Sequence, residues 1–165
     1  MPMFVRLFLC ALLIGFAGTA SAQDKPSQTR QKPAAQQQTP EQRAAIQKEN
    51  QIAVKYAESI VAMVDNGQSG QVWDQASDVA KKSVSRDQFV KATESDRAKL
   101  GNMTSRKVEG VTRILSNGEE KLPAGLYVNV IFATRFSREA KPIRELVSFH
   151  RDSDNRLRLS GYTVR

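Results

Sequence analysis

Apolar positions follow a helical period in the first half of this chain and a strand period in the second. Ile46, Ala53, Ala57, Ile60 and Val64 fall seven, four, three and four residues apart, flanked by Val54, Val61 and Met63. That spacing predicts one long amphipathic helix. Thr39-Pro40-Glu41-Gln42 marks its start as a capping box with proline at the first helical position, and Asn66-Gly67 marks its end. A short helix is expected around Val72-Trp73-Asp74-Gln75-Ala76. Ser85-Arg86-Asp87-Gln88 is a second capping box, which opens a helix through Phe89 and Val90 to Leu100 and Gly101. Beyond Gly101 the period becomes two, with strands predicted near 104–114, 125–136, 143–151 and 156–164. Asn117-Gly118, Pro123, Pro142 and Asp152-Ser153-Asp154-Asn155 punctuate them. Helices followed by strands predict an α+β domain, with the helices on one face of a curved, four-stranded, mainly antiparallel sheet.

The segments before residue 41 change the picture. Leu7 to Phe16 is an apolar run of ten after Arg6, and Ala20-Ser21-Ala22 has the A-x-A form of a cleavage site. Ten residues are too few to span a bilayer, so residues 1–22 read as a cleaved export signal, with no transmembrane segment afterwards. Gln23 to Thr39 is rich in Gln and Pro, and residues 23–40 read as a disordered tether. The folded domain is then expected over 41–165, in the periplasm.

Composition removes several kinds of chemistry. One histidine, His150, and one cysteine, Cys10 inside the signal, leave no ligand set for a metal and no disulfide framework. No Gly-rich phosphate loop and no nucleophile-elbow serine occurs, so neither a cofactor nor a catalytic constellation is expected. The chain carries 25 basic and 17 acidic residues, a formal net charge of +8. Residues 41–103 hold nine of each sign, whereas residues 104–165 hold twelve basic and seven acidic. The surplus of residues 41–165 therefore belongs to the sheet. In a cell envelope it points to anionic envelope ligands or proteins and not to nucleic acid.

Several segments together carry a resemblance. They are Val64-Asp65-Asn66-Gly67 with Val72-Trp73-Asp74-Gln75-Ala76-Ser77, Val84-Ser85-Arg86-Asp87-Gln88-Phe89, Arg97-Ala98-Lys99-Leu100-Gly101, Phe132-Ala133-Thr134-Arg135-Phe136 through Glu145, and Gly161-Tyr162-Thr163-Val164-Arg165. In this order they resemble a bacterial exported family, domain of unknown function 4019, over about residues 53–165. Leu157 departs from it, standing where that family usually has tryptophan. The family is similar in layout to nuclear transport factor two-like (cystatin-like) domains, in which a curved sheet wraps a long helix around a cone-shaped pocket. The resemblance implies architecture and an envelope location, and no catalytic residues.

Two sets of candidate residues follow from strand parity. Glu145 shares parity with Ile143, Val147 and Phe149, which puts a carboxylate on the helix-facing side; it needs a partner there. Arg97 on the last helix is the preferred partner. Asp96 is the other polar candidate for a wall of the pocket between helices and sheet. On the opposite parity, Arg135, Arg144 and Arg158 alternate with Tyr127 and Tyr162, near Ile131 and Leu146. Arginine and tyrosine are enriched at interfaces. The leading expectation is a non-enzymatic accessory protein that binds an envelope partner or itself, as a homodimer, through this basic sheet face. The alternative is a small-ligand carrier or enzyme-like protein using the inner pocket. His150 alone is expected at a surface or edge.

Overall fold

The computed structural model describes residues 38–119 and 122–165; the expected signal and nearly all of the expected tether lie outside them. Helix α1 runs Pro40–Asp65, α2 Ser69–Asp74, α3 Asp78–Ser83 and α4 Arg86–Leu100. Strands β1 Met103–Ser116, β2 Gly125–Phe136, β3 Ile143–Arg151 and β4 Leu157–Val164 follow. The strands form one open antiparallel sheet in the order β1-β2-β3-β4. Among the described residues, no helix is long and apolar enough to cross a membrane.

Both capping boxes form. The Thr39 and Ser85 hydroxyls accept from the backbone N–H groups of Gln42 and Gln88, whose side chains accept from the cap residues' own N–H groups. Helix α1 buries Ala53, Ala57, Val61 and Val64 against the sheet. Its three buried-face turns begin well inside the helix, so the first ten residues are largely exposed. The inner sheet face supplies Val128, Val130, Phe132, Val147, Phe149 and Leu159 to the same core. Helix α3, absent from the sequence reading, is one short segment capped by the buried Ser77. The Ser77 N–H also donates to the Leu159 carbonyl at 2.8 Å, which ties this corner to β4.

Three irregularities interrupt the ladders. Two lie on β1, between Met103 and Ser105 and between Val108 and Gly110. The third lies on β4, where Leu159 pairs with Phe149 but Gly161 pairs with the next residue, Ser148. Ser160 is therefore an extra residue, a β-bulge. It reverses the in-out alternation for the rest of the strand. Tyr162 pairs with Val147 and Val164 with Glu145, both on the helix-facing side. The placement of Tyr162 on the outer face, expected from strict alternation, is thereby corrected.

Candidate functional site

At the centre of the helix-facing side is a charged network. It receives one side chain from each strand and one from each long helix: Arg106 of β1, Thr134 of β2, Glu145 of β3, Tyr162 of β4, Asp65 of α1 and Arg97 of α4. Glu145 has no solvent exposure, and Thr134 has none either. Register explains the gathering: Glu145 lies opposite Phe132, with Thr134 one inward position along β2, and Thr134 lies opposite Arg106.

Each oxygen of Glu145 has a named donor. Oε2 accepts from Arg106 Nε at 2.7 Å and from Thr134 Oγ1 at 2.7 Å. Oε1 accepts from the Tyr162 hydroxyl at 2.6 Å, with Arg97 Nη1 4.0 Å away. Asp65 receives Arg106 through Nη1 at 2.8 Å and Nη2 at 3.1 Å, and Arg97 through Nη2. The principal partner of Glu145 is therefore Arg106, which sequence reasoning missed. Arg97, the expected partner, bonds mainly to Asp65 and lays its guanidinium 4.4 Å from the centre of the Phe136 ring. The signal for Arg106 was present: it shares inward parity with Val108 on the neighbouring strand edge.

The electrostatics favour a fixed arrangement. Two carboxylates face two guanidinium groups, so the group is neutral as a whole. Asp65 ends α1, where the helix dipole disfavours an anion, and the two arginines offset that. Burial opposes the charge of Arg106, but hydrogen bonds to Asp65 and Glu145 and attraction to both carboxylates outweigh it, so its pKa lies above the usual arginine value. Burial, and then the Glu145 charge, push the Tyr162 pKa well up. Its hydroxyl is thus held in the protonated, donating form. Such a set ties six elements at one point and gives each Glu145 oxygen a hydrogen-bond donor.

Asp96, expected to join Glu145, does not. It sits exposed on α4 and pairs with Lys99 at 3.1 Å. Among the described residues, no three His, Cys, Asp or Glu side chains converge as metal ligands would.

The opposite sheet face is ordered in rows. Lys107, Ala133 and Arg144 lie side by side across β1, β2 and β3, and Arg144 exchanges backbone hydrogen bonds of 2.9 Å with Arg165. Arg135 follows in the next pair along, opposite Ser105. Beyond the cationic row lie Gly110, Ile131, Leu146 and Thr163, then Thr112, Asn129, Ser148 and Gly161. None of these registered positions is acidic. Lys107, Arg135 and Arg144 are exposed, and no described carboxylate lies within ion-pair distance of them.

Two outer-face candidates, Tyr127 and Arg158, and with them His150, behave otherwise. Tyr127 is on this face by register but only 3% exposed, because its hydroxyl donates to the Pro123 carbonyl at 3.0 Å and its ring lies 5.0 Å from that of His150. His150, expected at a surface, is buried. Its Nδ1 lies 2.8 Å from Asp152 Oδ1, and its Nε2 stands 2.2 Å from where a Cβ on Gly125 would be, so only glycine fits there. Arg158 is clamped by Asp152 and Asp154 at 3.0 and 2.6 Å. The Arg158 hydrogen bond pulls the Asp154 carboxyl down to about 2. Arg135 and Arg144 are therefore the two outer-face candidates that remain open.

No curated protein matches this chain, and no solved structure does. The family described as "Protein of unknown function (DUF4019)" matches residues 56–162, which takes in the last part of α1, the elements from α2 to β3, β4 as far as Tyr162, and all six residues of the buried network. The chain belongs to that family.

Proposed function

We propose that this protein is a non-enzymatic interaction module of the bacterial envelope, which binds an anionic partner through its open sheet face. The observation that carries the reading is the row Lys107-Ala133-Arg144-Arg165 with Arg135 beside it, none of them ion-paired among the described residues, although the exposed Glu109 stands in the β1 bulge two residues after Lys107. Ala133 is small, so the side chains on either side of it are accessible to one ligand surface. Arginine forks match carboxylates and phosphates, and the half-buried Ile131 and Leu146 add apolar area in the next row. Self-association through this face is disfavoured, because two copies would bring cationic rows together. Glu145 has no solvent exposure and a donor on each oxygen, which supports a positioning role for the inner network over proton transfer. The apolar run and A-x-A site before residue 23 support export to the periplasm. The order of elements, a long helix before an antiparallel meander, supports the finer likeness to nuclear transport factor two-like domains.

The test is in-cell photocross-linking from position 133, at the middle of the row. A specific adduct is expected there and none from the exposed Ser95 on α4. Replacing Lys107, Arg135 and Arg144 together by glutamate should remove the adduct while the thermal unfolding midpoint stays within a few degrees. An adduct that survives the charge reversal, or the absence of any adduct, overturns the reading. An adduct of twice the protein's mass shows the partner to be a second copy.

A further inference from the structure

A concavity of about 860 Å³ lies on the other side of the molecule, between α1 and the β3–β4 hairpin. Its floor begins with Ile52 and Tyr56, which are 43% and 54% exposed, and continues through Ile60 to Met63. These positions form a second apolar stripe on α1, turned one residue from the stripe that the sheet covers. Leu157 of β4 closes the far wall. From Ile52 to Met63 the floor extends roughly 16 Å by the helical rise.

One rim is cationic. Arg156 is 78% exposed and has only Asp154 near it, at 3.9 Å. Arg151 meets Glu49 through Nη2 at 3.1 Å, and its side chain keeps 27% exposure at this rim.

We propose that this groove binds a single-chain amphiphile, an acyl chain ending in a carboxylate, with the chain along α1 and the carboxylate at Arg151 and Arg156. The volume lies within the usual range for small-molecule sites, roughly 300–1,000 Å³. An extended peptide would bring unpaired backbone polar groups onto an apolar floor. This inference does not depend on the open-face reading.

Fluorescence titration of the mature protein with cis-parinaric acid, and in parallel with its methyl ester, tests it. Saturable binding of one acid per protein is expected. Ile52→Asp with Tyr56→Asp, both at exposed positions, should weaken it by roughly tenfold or more. Arg156→Glu should weaken the acid by roughly fivefold and leave the ester unchanged. Circular dichroism checks that each variant is folded. Absence of saturable binding, undiminished binding by the double variant, or equal losses of acid and ester with Arg156→Glu would each overturn the proposal.

Discussion

Glu145 shows how one residue's environment decides its role. A carboxylate with no solvent exposure survives in the fold because Arg106, Thr134 and Tyr162 all donate to it within 2.7 Å. Removing only its charge leaves Arg97 and Arg106 to share Asp65, an uncompensated buried cation. Breaking a buried pair on one side costs about 3–5 kcal/mol. Glu145→Gln should therefore lower the thermal midpoint by roughly 10 °C or more. Replacing Arg106 by Met and Glu145 by Leu together removes one charge of each sign and leaves the balanced pair Asp65–Arg97. That double variant should recover roughly half of the loss, because the Thr134 and Tyr162 hydroxyls still lack their acceptor. Differential scanning calorimetry of both variants decides the matter. A double variant no more stable than Glu145→Gln would show that the network holds the fold by more than charge balance.

At the scale of elements, what could be read from the sequence is what local pattern specifies. Thr39, Gln42, Ser85 and Gln88 announced both long helices, and alternation located all four strands and put Glu145 on the correct face. These signals are local, so no tertiary information was needed. Tyr162 was misplaced because counting in twos carries any insertion forward, and Ser160 is such an insertion. Nothing about an isolated serine marks it as a bulge. Arg106 was overlooked because its partners are 41 and 39 residues away, on α1 and β3. Helix α3 was missed because six residues with one buried alanine carry too little periodicity. The bulge itself makes a prediction. Without Ser160, Gly161 still meets Ser148 and Tyr162 still meets Val147, and a buried hydroxyl with no hydrogen-bond partner is gone. Deleting Ser160 should hence leave the midpoint within a few degrees. Deleting Ser148 from β3, which is paired on both sides, should abolish cooperative unfolding. Equal damage from the two deletions would mean that the twist supplied by the bulge is itself required.

For the whole molecule, the neutral helical half and the basic sheet half separate two kinds of surface. The cationic cluster around Arg144 lies on the outer sheet face, while the groove opens between α1 and the β3–β4 hairpin, around Tyr56. They differ in the force that would act at each. Lys107 and Arg144 are two strands apart, roughly 10 Å, which is about one Debye length at 0.1 M salt; at 1 M that length falls to about 3 Å. Attraction of an anionic surface to the row should thus fade steeply with salt. Burial of an acyl chain on Ile52, Tyr56 and Ile60 depends on apolar area and should persist. Sites this far apart with no shared residues act nearly independently. The prediction is a double dissociation. Raising salt from 0.1 to 1 M, or reversing Lys107, Arg135 and Arg144, should remove the cross-link from position 133 and leave the binding of parinarate methyl ester within about twofold. Ile52→Asp with Tyr56→Asp should do the opposite. If either treatment abolishes both activities, the two surfaces are parts of one binding site, and the partner must reach around the sheet edge to touch both.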